Sequence, residues 1–451
     1  VQPDTPLTST LRTALLTLVA TAALLAGCAA PPRTDPAATA AGPSGVPARA
    51  AKGAPAPSAS AAPTSTGTRP MIVQPSTPLP RTVALVLPLT GRMAAAGTAL
   101  RDGFMTAWLG ADEASRPEVR VYDAGPGADA AYRRAVAEGA GFVVGPLAKE
   151  DVQTVARLAA ANGGTVGTLA LNALPDGEPV PPRFHQFALA PEDDARLVAE
   201  RLVAEGKRLG VALVPSGEWG YRVVGAFAQA LDAGGGAVVA RQTYGTQTMD
   251  YSDVINALLG FDDSRRRHRQ LVSTLGQPLE FSPRRREDVQ FIFVAAQPTQ
   301  GRLIRPQLKF HYAGELPVYA TSDVYDPNPT ANEDLEGVVF PDAPWMVSTD
   351  TAVENLRQQM NEAFGVQNVR RRGRLYAMGY DAYVLATALG RPGAGAGSLG
   401  TVPLDGMTGR LTLDPTGRVR RSLDWAAIGP DGQPRPLAPT SSVSPIAPST
   451  P

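Results

Sequence analysis

Cysteine is almost missing from this chain, with one residue, Cys28, among 451. An internal disulfide framework is excluded, and one cysteine beside three histidines argues against a structural zinc site. Net charge is missing as well, because Lys+Arg 42 balances Asp+Glu 42. The chain therefore has no electrostatic footprint for wrapping nucleic acid or coating an anionic membrane. No G-x-S-x-G elbow, P-loop, H-E-x-x-H or zinc-spaced Cys/His set occurs. Gly395 to Gly400 does spell G-x-G-x-x-G, but it follows a helical pattern and leads into no strand–helix–strand unit, so it reads as a loop. His185, His268 and His311 are scattered and read as surface or internally satisfied histidines. Asp193-Asp194 and Asp262-Asp263 read as helix N-terminal charges rather than catalytic pairs. The expectation is a protein that is not an enzyme and needs no cofactor or metal.

A membrane-spanning run is also absent. The apolar stretch from Leu15 to Leu25 is roughly half the ~20 residues that a spanning helix needs. With Arg12 before it and small residues after it, it reads as a secretory signal. Leu25-Ala26-Gly27-Cys28 resembles the bacterial lipobox, in which the thiol is lipidated and the upstream peptide removed. The alternative is a free cysteine buried in a core helix. We therefore expect a signal peptide over 1–27, with Val1 as an alternative start, and a lipid anchor on Cys28. Ala29 and Ala30 follow, with no Asp, which resembles sorting to the outer membrane, so membrane contact would be through the lipid only.

What the chain has in excess is Gly 45 and Pro 43, roughly a fifth of all residues against about 12% in average usage. Much of it falls within 28–80, which is Ala, Pro, Ser, Thr and Gly with few large apolar side chains. Such a segment cannot bury enough surface to offset its ordering entropy, so we read it as a disordered tether. It would reach roughly 40 Å as a flexible coil and about 150 Å as extended polyproline. Residues 438–451 share the composition and read as a fraying tail.

Between these ends the pattern is strand–helix repetition. Val83 to Leu89 is a continuous apolar run of strand length, as in a strand buried on both faces of a parallel sheet. Strands over Glu118–Asp123, Gly141–Gly145 and Gly164–Leu171 alternate with helices over Ala94–Leu109, Ala128–Glu138 and Lys149–Asn162. A second series begins at Pro191 and continues through strands Arg208–Val214, Ala237–Tyr244, Val289–Ala295 and Leu316–Ala320. Its last helix is predicted over Thr299–Tyr312. The fold class is α/β, with two doubly wound lobes and a central cleft. One lobe is expected to hold about 81–187 and 317–385, the other about 188–316 and 390–437.

Several strings together resemble a known family. Val83 to Gly91, Phe142 to Leu147 and Gly406 to Asp414 are similar to the type I periplasmic-binding-protein fold of the branched-chain amino acid receptors. Phe184 to Asp193, Leu213 to Gly220, Pro283 to Val289, Leu303 to Phe310, Pro317 to Ser322 and Leu375 to Ala382 narrow this further. They resemble the carboxy-terminal domain of the penicillin-binding-protein activator lipoproteins, over about Arg81 to Leu437. The resemblance implies an outer-membrane lipoprotein that binds a class A penicillin-binding protein, a peptidoglycan synthase, and stimulates cross-linking. Familiar members carry a helical-repeat domain where this sequence has the Pro/Ala segment. Two other classes stay open: a solute-binding lipoprotein feeding an ABC-type amino acid or peptide importer, and a scaffold tethering the membrane to the wall.

In open α/β sheets ligands sit beyond the carboxyl ends of the strands. That rule nominates Thr90, Gly91, Lys149, Leu169, Asn172, Trp219, Tyr221 and Asp323 as candidate cleft residues. Trp219 and Tyr221 read equally as core side chains. Receptors of this fold usually offer small hydroxyl residues after the strand ends to clamp an amino acid. Here Ala148-Lys149 and Ala170-Leu171 stand there, which favours a muropeptide fragment, or no ligand, over a free amino acid. Two basic runs, Arg265 to Arg269 and Arg284-Arg285-Arg286, bracket a further segment. They read either as a solvated face or, for Arg284 to Arg286, as a docking site for an acidic partner surface or peptidoglycan carboxylates. Arg370-Arg371-Arg372 reads as the charged approach to a helix.

Overall fold

The computed structural model describes residues 81–175, 177–391 and 403–438. The signal segment, Cys28, the tether, the Gly395–Gly400 string and all but the first residue of the tail lie outside the described residues.

The first lobe starts with β1 (Thr82–Leu87), α1 (Ala94–Gly110), β2 (Glu118–Asp123) and α2 (Ala128–Ala137). It continues with β3 (Phe142–Val144), α3 (Lys149–Ala161), β4 (Gly167–Ala170) and β5 (Phe184–Gln186). All six residues of β1 are buried, because helices cover both faces of its sheet. Pro88 lacks an N–H, and the strand stops short of the Leu89 predicted from hydropathy. The strands run parallel in the order β2-β1-β3-β4-β5.

The second lobe is built from α4 (Pro191–Ala204), β6 (Leu209–Pro215), α5 (Glu218–Ala233), β7 (Ala237–Tyr244), α6 (Ser252–Leu258) and α7 (Phe261–Leu275). Next come β8 (Phe291–Val294), α8 (Pro298–Leu308), β9 (Val318–Ala320) and β10 (Val338–Asp342). Pro191 at the first position of α4 and acids in its first turn suit a helix start. α8 ends before the predicted Tyr312, giving way to a wide turn in which Tyr312 has φ 57°. Then follow α9 (Pro344–Val347), α10 (Thr351–Phe364), α11 (Val366–Leu389), a ribbon of β11 (Leu404–Asp405), β12 (Arg410–Leu413) and β13 (Val419–Ser422), and finally β14 (Asp424–Ile428) and β15 (Pro434–Leu437). The second sheet has the order β15-β14-β10-β9-β8-β6-β7, parallel from β7 to β10 and antiparallel beyond. Arg370 to Arg372 lie within the first turns of α11, which breaks at Arg372 (φ −126°, ψ 24°).

Two of the expected lobe boundaries are corrected. Residues 318–342 do not join the first lobe, because β9 pairs with β8 and β10 with β9. A crossover through α8 returns the chain beside the strand it left, the right-handed connection being the general rule for such units. Conversely, the ribbon joins the first lobe, since Leu411, Leu413 and Val419 pack into the same apolar cluster as Leu85, Leu100 and Tyr383. The chain thus passes between lobes three times, at Phe187–Ala190, through α9 and α10, and at Leu423.

α11 lies against α1 at backbone distance. A Cβ added to Gly103 would stand 2.0 Å from the Tyr376 carbonyl oxygen, and one on Gly379 would stand 2.1 Å from that of Leu100. Phe104 and Tyr383 close the contact edge to face, with centroids 5.3 Å apart. Because the obstacle is main chain, Gly379→Ala should cost about 1–3 kcal/mol through overpacking, read as a lower urea midpoint. An unchanged midpoint would mean that the helices are free to separate.

Candidate functional site

Between the lobes lies a cavity of about 600 Å³. The first lobe supplies the loops after β3 and β4, with Leu147, Lys149, Leu171 and Asn172. The second supplies the start of α4, with Glu192, Asp193 and Arg196, and the outer face of α5, with Tyr221, Arg222 and Gln229. Leu375 and Met378 of α11, together with Ala188 and Leu189, give it an apolar side.

Three of the sequence-nominated residues are brought together here: Lys149, Asn172 and Tyr221. Asn172 braces the wall, its Nδ2 donating to the Leu147 carbonyl (3.1 Å) and its Oδ1 accepting from the Ala173 amide (2.9 Å). Tyr221 is exposed at the rim, and the Lys149 ammonium is exposed with no carboxylate partner among the described residues. The other nominees are elsewhere. Thr90 ties off its own loop, its hydroxyl donating to Asp123 at 2.7 Å, and that bond is the leading cause holding the Asp123 carboxyl below its ordinary value. Gly91 follows it with φ 74°. Leu169 is fully buried in the first-lobe core, and Trp219 packs on the second-lobe core. Asp323 sits in a short turn at the end of β9, its carboxyl raised by burial and accepting from Thr321 at 3.3 Å.

The rim charges are largely committed to each other. Arg222 donates to Glu192 (2.7 Å) and Glu218 (2.8 Å), Arg196 pairs with Asp193, and Arg420 reaches Asp193 (3.4 Å) and Asp414 (2.9 Å). A free amino acid needs buried donors for its carboxylate and acceptors for its ammonium, and losing such partners is costly. The cavity instead offers apolar surface, one uncommitted ammonium and a self-neutralised rim, which suits a larger, weakly charged ligand. No group of three His, Cys, Asp or Glu side chains that could hold a metal occurs among the described residues. The three histidines remain apart: His185 is buried in β5 with its pKa lowered to about 4 by desolvation, His268 stacks on Phe281, and His311 faces the Ser252 hydroxyl.

Of the arginine run, Arg286 is structural. It pairs with both oxygens of Asp288 (2.8 and 2.7 Å) and donates to the Val239 carbonyl at 3.3 Å. Arg285 is half-buried and donates to the Arg286 carbonyl, while Arg284 is exposed without a side-chain partner among the described residues.

Sequence reasoning missed a buried polar network at the crossovers. Asp194 is not a solvated helix-start charge but is 3% exposed. Its Oδ2 accepts from the Ser322 hydroxyl (2.5 Å), and its Oδ1 lies 3.5 Å from Arg421 of β13. Nearby, Arg374 of α11 grips Asp342 at the end of β10 (2.9 and 2.5 Å) and donates to the Ser322 carbonyl (2.8 Å). Asp381 of α11 accepts from the Met407 and Thr408 amides, both at 2.7 Å, and burial pushes its carboxyl up to about 6. The only sequence signal was an acid three positions beyond the helix start, on the inward face with Val198 and Ala195.

Burial pushes the Asp194 carboxyl up to about 7, against the pull of Arg421 and Ser322. Between its ordinary 3.8 and about 7 the folded chain keeps a proton that the unfolded chain has released. This contribution to stability is complete below the ordinary value and is lost as pH rises through about 7. The stability of the wild type relative to Asp194→Asn should therefore fall from about pH 4 to about pH 7 and level off above, measured by urea unfolding. A pH-independent difference would show a carboxylate ionised throughout.

The comparisons with known proteins agree with this architecture. The profile of the LppC putative lipoprotein family matches residues 57–430. A penicillin-binding protein activator LpoA of Vibrio antiquarius is 32% identical over 361 residues, 78% of this chain and 57% of that relative. The C-domain of LpoA from Haemophilus influenzae, described as a regulator of PBP1A, superposes with TM-score 0.60 at 24% identity, over 79% of this chain and 100% of that domain. A putative branched-chain amino acid ABC transporter protein from Rhodospirillum rubrum gives TM-score 0.61 at 20% identity, over 80% of this chain and 100% of that one. At these identities the solved structures speak to the fold, which is of the two-lobed periplasmic-binding-protein kind. The chain spans little more than half the length of the curated relatives it matches. With its profile matched over most of its length, the chain belongs to the LppC putative lipoprotein family.

Proposed function

We propose that this protein binds a class A penicillin-binding protein and activates its cross-linking of peptidoglycan, working from the outer membrane into the periplasm. The observation that carries this reading is the 32% identity to a penicillin-binding protein activator across 78% of this chain. That likeness, which spans 57% of the relative, supports a contact made by the two-lobed domain. Docking of this kind needs no catalytic group on the activator. It raises the synthase's active population by as much as the activator prefers that conformation, and a tenfold preference corresponds to about 1.4 kcal/mol. Lipidation of Cys28 and a tether over 28–80 would hold the domain in reach of its partner. No described helix is long and apolar enough to cross a membrane.

For the docking surface, the exposed Arg284 with its neighbour Arg285 is the candidate, and Arg286 holds the loop. Arg284→Glu with Arg285→Ala should weaken synthase binding about two- to fivefold at low ionic strength, equivalent to ~0.5–1 kcal/mol, with less effect in high salt. Equal affinities at low salt would remove this surface from consideration. Arg286→Ala should lower the unfolding temperature instead.

The 600 Å³ cleft favours a second reading, a solute-binding lipoprotein of an ABC-type importer, and a muropeptide fragment in that cleft is compatible with either. The deciding experiment measures cross-linking by purified class A synthases with and without the unlipidated chain from Ala29 onward. A thermal-shift screen of amino acids, peptides and muropeptides runs in parallel. Stimulated cross-linking supports the activator. A ligand-induced shift without stimulation moves the chain to solute binding, and silence in both leaves a tethering scaffold.

A further inference from the structure

A second cavity lies outside the interlobe cleft and shares none of its lining residues. It holds about 300 Å³ between the crossover helices α9 and α10 with the first turn of α11 on one side, and the second-lobe segments at Tyr325 and Gln433 on the other. Among its charged side chains the cations Arg357 and Arg370 outnumber the single anion, Glu354. The indole N–H of Trp345 and the hydroxyl of Tyr325, on residues 2% and 5% exposed, have no hydrogen-bond partner among the described residues. Arg357 is fixed by donating to the carbonyls of Trp345 (2.9 Å) and Ser348 (3.2 Å), with its guanidinium over the Trp345 ring. Its Nε is buried without a partner, and its Nη1 meets only Glu354, at 3.6 Å.

The indole N–H, the phenol hydroxyl and Arg357 Nη1 belong to residues that line the cavity, so donors are in place there before any ligand arrives. Arg370 at the rim has no ion pair among the described residues. Against two guanidiniums stands one carboxylate, Glu354, whose side chain is 63% exposed, so the lining carries one net positive charge. That matches a singly charged carboxylate better than a phosphate with two charges. The remaining wall mixes the polar Ser348, Thr349, Asn361 and Gln433 with the apolar Val347, Val369, Pro434 and Val366, the last 48% exposed. Gly373 leaves the indole N–H uncovered, since a Cβ there would stand 2.8 Å from Trp345 Nε1.

We propose that this pocket binds a small monocarboxylate with an apolar body, of the class of an N-acylated hydrophobic amino acid or a peptide carboxyl terminus. Arg357, Tyr325 and Trp345 take the carboxylate, and Val366 and Val369 the apolar part. The site stands on its own geometry and does not rest on the activator reading. Because it joins the crossover to the second lobe, an occupied pocket would stiffen one of the three passages between lobes.

The test is calorimetric titration of the full chain with N-acetyl-L-leucine, and with N-acetyl-L-leucinamide, which lacks the carboxylate. The acid should bind and the amide should bind at least about tenfold more weakly, because the donors lose their charged partner. Arg370→Glu, at an exposed position, should weaken the acid, and Asn361→Trp should block it by filling the cavity. Lys149→Glu in the interlobe cleft should leave it unchanged. Thermal unfolding confirms that each variant is folded. No binding of the acid up to about 10 mM, equal binding of acid and amide, or loss through Lys149→Glu with Asn361→Trp unaffected, would each overturn the assignment.

Discussion

The backbone approach of α1 and α11 at Gly103 and Gly379 is the contact on which the remaining geometry hangs. With α11 seated at that distance, Met378, Ala382, Tyr383 and Leu385 enter the first-lobe core. The same helix then presents Arg374 toward Asp342 on the last parallel strand of the second lobe, and Asp381 toward the Met407–Thr408 turn of the ribbon. The helix is thus apolar toward the first-lobe core, polar toward the ribbon of the same lobe through Asp381, and ionic toward the second lobe through Arg374. Breaking a buried ion pair costs about 3–5 kcal/mol because it leaves a charge without its partner. The Arg374–Asp342 pair therefore ties α11 to the last parallel strand of the second lobe.

That network also shapes the cleft. α4 carries two neighbouring acids with opposite fates, Asp193 on the rim and Asp194 buried toward Arg421 and Ser322. The rim acid is neutralised by arginines of its own lobe and of the ribbon, and Glu192 by Arg222. A cleft whose charges are spent on each other has little left with which to clamp a small zwitterion. The crossover pocket differs in that its two arginines, Arg357 and Arg370, face one carboxylate, Glu354.

Much of the fold was legible in the sequence because buried parallel strands and amphipathic helices have different periods. Val83 to Leu87, Phe142 to Val144 and Leu213 to Val214 are apolar without alternation, and all lie in central strands. The lobe boundaries were not legible. Whether β9 and β10 extend one sheet or the other depends on which strand edge is free after α8, and local hydropathy does not encode that. The ribbon's Leu411 and Leu413 would suit either core equally well.

The candidate site divides in the same way. Lys149, Asn172 and Tyr221 were found because strand ends in an α/β sheet point to a cleft wherever the sheet is placed. Thr90, Trp219 and Asp323 satisfied the same rule and were committed elsewhere, to a loop, a core and a short turn after β9. The charge balance, the missing catalytic motifs, the family-bearing strings and the alternation of strands and helices are properties of the chain itself, and the sequence determined them. Partnership was decided only by the tertiary structure. Which acid is buried, which arginine braces a loop and which donors face an open cavity depend on residues tens to hundreds of positions apart, whose desolvation begins only when the lobes are assembled.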